Sequence, residues 1–214
     1  MSNISVIIRN KNESEHIGLS IQSVLDYLGL ETEIIIVDNN SIDDSLRVVA
    51  LFDRLNIKIF KLEDLYTPGK SLNYGVSKAS YDNILILSAH SQITDMDIEY
   101  VEEKLRDNVA VFGKQIPIYR GKKITPRYVW SHFGNEEKTN LFSKIENRQF
   151  LHNAFCFYTK DILQKCPFNE KLSGKEDRYW AIDRVRDNMN YLYTPKIKVN
   201  HYWTSNGATW KGLG

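Results

Sequence analysis

The stretch ISVIIRNKNESEHIGLSIQSVLDYLGLETEIIIVD, residues 4–38, decides the fold. It opens with a short run of β-branched residues, which is typical of a strand buried on both faces. Apolar residues then recur at helical spacing from Ile17 to Leu28, with Ser14 as the expected N-cap and Gly29 near the C-terminus. A second apolar run ends in polar residues at Asp38. Strand, helix and strand in this order predict a parallel β-α-β unit.

The same alternation continues through the first half of the chain. In the last helical segment of this half, Thr94 or Asp95 is the expected N-cap. The pattern predicts an α/β fold whose mainly parallel sheet is flanked by helices on both faces. The further strand-like runs lie at residues 57–62, 83–91 and 109–116.

The pattern changes after Pro117, where an aromatic and basic segment from Tyr119 to Lys138 shows no clear periodicity. Neither an internal repeat nor a low-complexity linker interrupts the chain. We therefore expect a single domain with a nucleotide-binding-like half, residues 1–115, and a second half, residues 116–214, that carries a different chemistry. In that second half a strand and a helix are expected within residues 150–163, a helix within 175–189 and a strand within 191–203.

Composition narrows the class of protein. Of the 214 residues, 42% are hydrophobic and 26% are charged, as in ordinary globular domains. The formal net charge of +1 gives no indication of a nucleic-acid partner. No apolar run is long enough to span a bilayer, and the N-terminus lacks the layout of a signal peptide. Cys156 and Cys166 form neither a disulfide framework nor a zinc spacing, so we expect a cytoplasmic protein.

Polar residues follow three of the expected strands where each one ends, at residues 9–13, 38–41 and 88–91. Ligands of open parallel sheets bind at the carboxyl ends of the strands, so these segments should converge. For one segment alone, loop solvation and capping is the simpler explanation, but three segments on one edge favour a ligand site. Neither G-x-G-x-x-G nor G-x-x-x-x-G-K-[ST] is present, which argues against dinucleotide and P-loop sites.

The order of motifs resembles that of a known enzyme family. The runs ISVIIRNKNE and EIIIVDNNSID, followed by PGKSLNYGVSKAS and GKEDRYWA, are similar to the motifs of family 2 glycosyltransferases, which have the GT-A fold. Each motif alone is weak, but their order and spacing along nearly the whole chain are specific. Arg9 replaces the usual proline, Lys11 the usual tyrosine, and Asn39 a common second Asp.

The resemblance implies inverting transfer of a sugar from a nucleotide-sugar donor to a glycan or lipid-linked saccharide acceptor, in bacterial surface polysaccharide synthesis. It assigns the donor to residues 1–115, and acceptor binding and catalysis to residues 116–214. A lipid-linked acceptor also implies peripheral contact with the inner face of the membrane. By resemblance, the nucleotide-sugar site contains Arg9, Lys11, Glu13, Asp38, Asn39, Lys70, Asn73, Ser88 and His90.

The family's D-x-D motif, whose carboxylates hold a divalent metal against the donor diphosphate, reads Ser88-Ala89-His90 here. Both carboxylates are missing at the place where the leaving diphosphate needs stabilising charge. One interpretation keeps a metal, Mn²⁺ or Mg²⁺, bound by His90 and His201, although imidazole suits Mn²⁺ less well than carboxylate. In a second, no metal binds, His90 contacts the diphosphate, and Lys11, Lys70 or Arg178 supplies positive charge. In a third, His90 only caps the end of the strand.

Inverting transfer also needs one base beside the acceptor hydroxyl. The resemblance assigns this role to Asp177 with Glu176 as support, although capping of a helix N-terminus explains the same pair. Trp180, one helical turn later, is expected to form a flat wall for the acceptor, and Gln115 is a second acceptor contact. The segment from Tyr119 to Lys138 is expected to shape the acceptor pocket or to touch an anionic lipid headgroup.

Two other classes fit the pattern less well. A degenerate GT-A domain would bind a nucleotide or a glycan without catalysis. The missing Asp pair favours that alternative, whereas the Glu176-Asp177 pair argues against it. A sugar-phosphate nucleotidyltransferase generally needs a Gly-rich loop after the first strand, and the segment IRNKNES contains no glycine.

Overall fold

The computed structural model describes residues 3–53, 55–63, 65–123, 129–205 and 207. The first half of the chain alternates strands and helices as expected. Its elements are β1 (Ile4–Asn10), α1 (Ile17–Leu28), β2 (Glu33–Asp38), α2 (Ser45–Ala50), β3 (Ile57–Lys61), α3 (Pro68–Lys78), β4 (Asn83–Ser88), β5 (Ser91–Asp95), α4 (Ile98–Leu105) and β6 (Ala110–Tyr119). The second half comprises β7 (Lys122–Lys123), a 3₁₀ helix (Trp130–His132), β8 (Lys138–Thr139), β9 (Phe142–Ser143), β10 (Arg148–Gln149), β11 (Phe155–Thr159), α5 (Lys160–Lys165), α6 (Glu176–Arg186) and β12 (Tyr191–Tyr202).

One large sheet with the strand order β3-β2-β1-β4-β11-β6-β12-β5 forms the centre of the molecule. The four strands β3, β2, β1 and β4 run parallel, and β12 runs parallel to β6. In contrast, β11 is antiparallel to both β4 and β6, and β5 is antiparallel to β12. The α/β prediction is confirmed, and the sheet is mixed rather than uniformly parallel.

Both faces of the sheet are covered, which explains the continuous apolar runs of its strands. Ile7 of β1 packs on one face with Leu72 and Val76 of α3. Its neighbours Val6 and Ile8 pack on the other face, where α1 contributes its apolar stripe. Successive strand residues point to opposite faces, so the two hydrophobic cores hold β1 firmly and fix where its polar end lies.

Two expected helix starts are wrong. Residues Ser91–Asp95 form β5 instead of opening α4, and the side chain of Asp97 caps that helix by accepting from the Tyr100 N–H at 2.9 Å. At α1 the N-cap position is His16, without a side-chain hydrogen bond, and Ser14 instead donates its N–H to Asp43. In both cases pairing with another part of the chain outweighs the local signal, and a short polar run gave no indication of that pairing.

The aromatic and basic segment is only partly described, because residues 124–128 lie outside the described ranges. In the described part, Trp130 and Phe133 are buried in the same hydrophobic core as Leu72 and Val76 of α3. These two aromatic residues therefore support the fold and do not form an open surface for an acceptor or a lipid. No helix in the described part of the chain is long and apolar enough to cross a membrane.

A buried carboxylate lies at the opposite edge of the sheet, at the start of β2. Glu33 is 1% exposed and accepts hydrogen bonds from Ser5, from the Ser80 N–H and hydroxyl, and from Lys58 at 2.6 Å. Burial raises the pKa of Glu33, but Lys58 and the hydroxyl donors outweigh it and lower the pKa to about 2. Glu33 therefore links β1, β2, β3 and the segment after α3, and it does so most strongly while it is ionised.

We expect Glu33→Gln to destabilise the fold by about 3 kcal/mol at pH 7, the value of a shift from 4.5 to about 2. Since the folded pKa is depressed, this stability is present above the unfolded pKa and is lost as pH falls towards 2. Urea unfolding at pH 7, 5 and 3 should show the difference from wild type shrinking with acid. Glu99→Gln, at an exposed position, is the control; equal effects of the two changes would contradict the prediction.

Candidate active site

A cavity of about 650 Å³ opens at the carboxyl ends of β1 and β4, opposite the N-terminus of α6. The strand tips that were expected to converge contribute much of its wall. From the end of β1 come Arg9, Asn10, Lys11 and Glu13, and from the end of β4 come Ser88, Ala89 and His90. The opposite wall contains His152, Asn153 and Ala154 before β11, residues 173–178 at the start of α6, and His201 of β12, with Tyr66, Pro68, Val129, Glu146 and Gly207 at other points.

The tip of β2 lies beside this cavity and outside its lining. Asp38 is buried and accepts from the Asn10 amide at 2.8 Å and from the Ser41 hydroxyl at 2.6 Å. The N–H of Asn39 donates to the Asn10 carbonyl. Through these contacts Asp38 and Asn39 hold the end of β1 in position. Lys11 is exposed at the rim, where its ammonium group donates to the Asn40 carbonyl at 2.6 Å.

The two expected contacts on α3 also lie outside the cavity lining. The side chain of Asn73 donates to the Phe168 carbonyl at 2.9 Å and accepts from the Phe168 N–H at 3.0 Å. It therefore fixes the loop that leads to α6, a structural role that the sequence motif did not separate from ligand binding. Lys70 stands in the first turn of α3, where its N–H donates to the capping hydroxyl of Thr67.

His90 occupies the end of β4 in contact with two other elements. Its Nδ1 lies 3.1 Å from Glu13 Oε1, and its ring centroid lies 4.8 Å from that of His201. His201 is buried and pairs through Nδ1 with Gln115 Oε1 at 2.9 Å. Burial lowers the pKa of His201 well below its usual range, so this imidazole is neutral. Gln115 itself is buried behind His201 and outside the cavity lining, so the prediction that it contacts an acceptor is wrong.

His90 and His201 could bind a metal only together with ligand atoms from the donor. Within the described ranges, no group of three or more His, Cys, Asp or Glu side chains is arranged to hold an ion. His90 and His201 are close together, however. The Nδ1 atom of His90 lies beside an oxygen of Glu13, and that of His201 lies beside an oxygen of Gln115. Metal-bound imidazoles make such a contact through the ring nitrogen that does not bind the metal. Two imidazoles can complete a coordination sphere with diphosphate oxygens, and they suit Mn²⁺ better than Mg²⁺.

The paired carboxyl groups at the start of α6 have different surroundings. Asp177 is buried and accepts from the N–H of Arg178 at 2.8 Å, from the N–H of Asn153 at 3.1 Å and from the Arg178 guanidinium at 2.8 Å. Burial raises the pKa of Asp177, but Arg178 and these backbone donors outweigh it and lower the pKa below its ordinary value. Asp177 is therefore ionised and rigidly held.

Glu176 is held less tightly. The Arg9 guanidinium lies 3.8 Å from its carboxylate, too far for a short ion pair. Burial and the neighbouring Asp177 charge raise the pKa of Glu176. Two adjacent carboxyl groups whose environments push their pKa values apart are a recurrent feature of sites that transfer protons.

Trp180 and Arg178, near this carboxyl pair, stabilise the structure through packing and hydrogen bonds. Trp180 is 3% exposed, packs edge-on against Tyr158 with ring centroids 5.3 Å apart, and donates from Nε1 to the Cys166 carbonyl at 2.7 Å. The ring of Trp180 lies in the core, which argues against the expected acceptor wall. Arg178 lines the cavity, but its guanidinium stacks over Phe150 and donates from Nη1 to Asp177 and to the Leu151 carbonyl, so it already serves to hold the protein's own groups.

The sequence reasoning missed several cavity residues. His152 and Asn153 form a polar pair directly before the buried strand β11, which was the one signal available for them. Burial lowers the pKa of His152 to about 3, and its Nδ1 accepts from the Ala154 N–H. Tyr66 reaches the cavity from the loop after β3 and accepts from Arg9, a contact that no local pattern indicates.

The model of the family described as "Glycosyl transferase family 2" matches residues 5–167, most of this chain. The chain belongs to glycosyl transferase family 2. The order of motifs in the sequence and the strand-end cavity agree with that membership.

Two curated family 2 relatives show the range of similarity. The poly-β-1,6-N-acetyl-D-glucosamine synthase of Staphylococcus epidermidis is 30% identical over 190 residues, which cover 87% of this chain and 44% of the relative. The GalNAc(5)-diNAcBac-PP-undecaprenol β-1,3-glucosyltransferase of Campylobacter jejuni is 25% identical over 198 residues, which cover 90% of this chain and 63% of the relative. This family 2 chain therefore spans about half the length of the curated relatives it matches.

Solved structures share the fold at lower identity. S. aureus TarS in complex with UDP-GlcNAc matches with a TM-score of 0.75 and 20% identity, over 99% of this chain and 62% of that one. GalNAc-T7 with UDP, GalNAc and Mn²⁺ matches with a TM-score of 0.73 and 16% identity, over 97% of this chain and 45% of that one. The family 2 assignment and the GT-A fold are thus consistent with each other.

Proposed function

We propose that this protein is an inverting glycosyltransferase that moves a sugar from a nucleotide-sugar donor to a glycan or lipid-linked saccharide acceptor in bacterial surface polysaccharide synthesis. The observation that carries the proposal is the cavity in which the ends of β1 and β4 face the buried Glu176-Asp177 pair. Family membership and the names of the relatives support it. In this proposal residues 1–115 bind the donor, and residues 116–214 bind the acceptor and supply the base.

The proposed chemistry is a single displacement. A carboxylate of the α6 pair takes the proton of the acceptor hydroxyl as its oxygen attacks the anomeric carbon, and the nucleoside diphosphate leaves from the opposite side. Asp177 is our assignment for the base, because it is ionised and held in one orientation by three hydrogen bonds. Glu176 supports it as an acceptor contact.

The leaving diphosphate needs positive charge from another part of the cavity. Ser88-Ala89-His90 stands in place of the D-x-D motif in this proposal, so the positive charge comes from Arg9 and Lys11 at the β1 tip, and His90 contacts the diphosphate. A bound Mn²⁺ would neutralise charge on the leaving group, with His90 and His201 as its protein ligands. Arg178 and Lys70 have no part in the proposed phosphate contact.

A thermal-shift panel tests the donor site. We expect one of UDP, GDP, dTDP, CDP and CMP to raise the melting temperature, since a ligand that binds only the folded state stabilises it. The matching nucleoside, which lacks phosphates, should stabilise less. Dependence on Mn²⁺ that disappears in His90→Ala would support the metal interpretation, and stabilisation in EDTA would support direct contact by His90 and the cations. No response to any nucleotide would contradict donor binding.

A degenerate domain remains the second candidate, because the D-x-D carboxylates are missing. It predicts nucleotide or glycan binding without release of nucleoside diphosphate.

The proposal of a lipid-linked acceptor also places the protein at the cytoplasmic face of the membrane, by peripheral contact. Sedimentation with vesicles that contain a polyprenyl diphosphate saccharide would test that location.

A further inference from the structure

We propose that Asn153 contacts the substrate, by donating a hydrogen bond from its side-chain amide to a hydroxyl oxygen of the acceptor sugar. The proposal rests on the proposed transferase function and deepens it. It concerns a residue that no sequence motif singled out. The structure places Asn153 in the cavity wall between β11 and the start of α6, 3% exposed.

The orientation of this amide is set from two sides. Its Oδ1 accepts from the buried Tyr158 hydroxyl at 2.6 Å. Its backbone N–H donates to Asp177 Oδ2 at 3.1 Å, which fixes the main chain against α6. A planar amide whose oxygen points to Tyr158 must direct its two N–H donors to the opposite side.

The Nδ2 group has no hydrogen-bond partner among the described residues, although it is buried. Burial raises the pKa of Glu176, and the nearby Asn153 side chain opposes that rise, so the amide faces this carboxyl without a bond of normal geometry. The reverse orientation would turn Oδ1 towards a carboxylate and repel it. Buried amide donors in folded proteins are nearly always satisfied, so an unsatisfied one that lines a cavity indicates a ligand atom.

The chemistry of the two neighbouring groups defines that ligand atom. The amide of Asn153 can only donate there, and the carboxylates of Glu176 and Asp177 accept. A hydroxyl group does both, because its oxygen accepts one hydrogen bond while its proton is donated. One sugar hydroxyl between the amide and the carboxyl pair would accept from one amide N–H and donate its single proton to one carboxylate, so that this proton would face the base. An ammonium group, which cannot accept, or an ionised phosphate, which cannot donate, would leave one side of this arrangement mismatched.

Asn153→Asp keeps the shape and the acceptor for Tyr158 and removes the N–H donors, but it adds a carboxyl group beside Glu176 and Asp177. Asn153→Ala, which removes the donors without adding charge, is therefore measured beside it and must show the same fall. With the nucleotide sugar found by the thermal-shift panel as donor and methyl glycosides as acceptors, kcat/KM for the acceptor should fall about tenfold or more. Affinity for the nucleotide should stay unchanged. Tyr158→Phe, which releases the amide to turn, should have a smaller effect in the same direction.

Asn108→Asp is the matched control, since the Asn108 side chain donates to the Lys104 carbonyl near the end of α4 and lies outside the cavity lining. Equal acceptor kinetics for Asn153→Asp and Asn108→Asp would overturn the proposal. If the wild-type chain turns over no nucleotide sugar, the transferase function itself fails, and NMR then tests Asn153 separately. Its side-chain amide signals, assigned by their absence in Asn153→Asp, should shift when methyl glycosides are added; unchanged signals would overturn the proposal.

Discussion

Replacing Asp177 with Asn should lower sugar transfer by about 10²–10⁴-fold, the usual contribution of a positioned general base. Asn keeps the shape of the side chain, but its single oxygen can accept from only one of the backbone N–H groups of Asn153 and Arg178, which donate to different oxygens of Asp177. It cannot accept a proton, so acceptor activation is lost. Nucleotide affinity should be retained, because the donor diphosphate is expected at the β1 and β4 tips. Steady-state transfer and a thermal shift with the preferred nucleotide measure the two effects.

Glu176→Gln is the matched comparison for the Asp177 experiment. The pKa of Asp177 lies below its ordinary value, so a base at this position stays ionised well into the acid range. The rate of sugar transfer should then not change with pH over that range. Burial and the Asp177 charge raise the pKa of Glu176, so a base there would lose activity at a higher pH. An acid limit close to neutrality, combined with a larger loss in Glu176→Gln, would move the catalytic role to Glu176.

The loss of charge in Asp177→Asn has a structural consequence that the experiment must separate. Arg178 is buried and donates to Asp177 at 2.8 Å, with a second acid, Glu146, 3.9 Å from the guanidinium. Removing one partner of a buried ion pair destabilises a fold more than removing a surface pair. Unfolding of the variant should therefore be measured beside its activity. A variant that is folded at the assay temperature and inactive supports the base assignment.

Periodicity in the sequence was enough for the fold because the responsible interactions are local or repeated. The apolar runs of β1 and β2 are buried on both faces, and the helix between them has its apolar residues at regular spacing. The direction of β11 was beyond such reasoning. A five-residue apolar strand has the same appearance whether it lies parallel or antiparallel to β4, and only tertiary packing decides between them.

The candidate site was predictable to the extent that it follows from the ends of strands. Arg9, Glu13 and His90 reach one cavity because parallel strands end at one edge of the sheet. The same rule also predicts Asp38 in the cavity, but its carboxylate accepts hydrogen bonds from Asn10 and Ser41. A sequence shows which side chains carry polar atoms; it does not show which of those atoms are already paired.

Trp180→Ala should destabilise the fold by about 3–5 kcal/mol, as large-to-small changes of buried aromatic residues do. Trp180 is 3% exposed, contacts Tyr158 and Phe168, and anchors α6 through the Cys166 carbonyl. Trp180→Phe retains most of that packing and should cost much less. Tyr179→Ala changes an exposed aromatic residue of the same helix and is the control. Urea unfolding measures all three variants.

The same variants decide between a core and an acceptor role for Trp180. A wall for a sugar would raise KM for the acceptor in Trp180→Phe or Trp180→Ala with little change in unfolding free energy. Burial in the core predicts the reverse: unfolding changes strongly, and KM for the acceptor in Trp180→Phe stays at the wild-type value. Because α6 carries Glu176 and Asp177 in its first turn, kcat of Trp180→Ala should fall only near its lowered melting temperature. A fall at temperatures where the variant is fully folded would mean that the anchor also sets the position of the base.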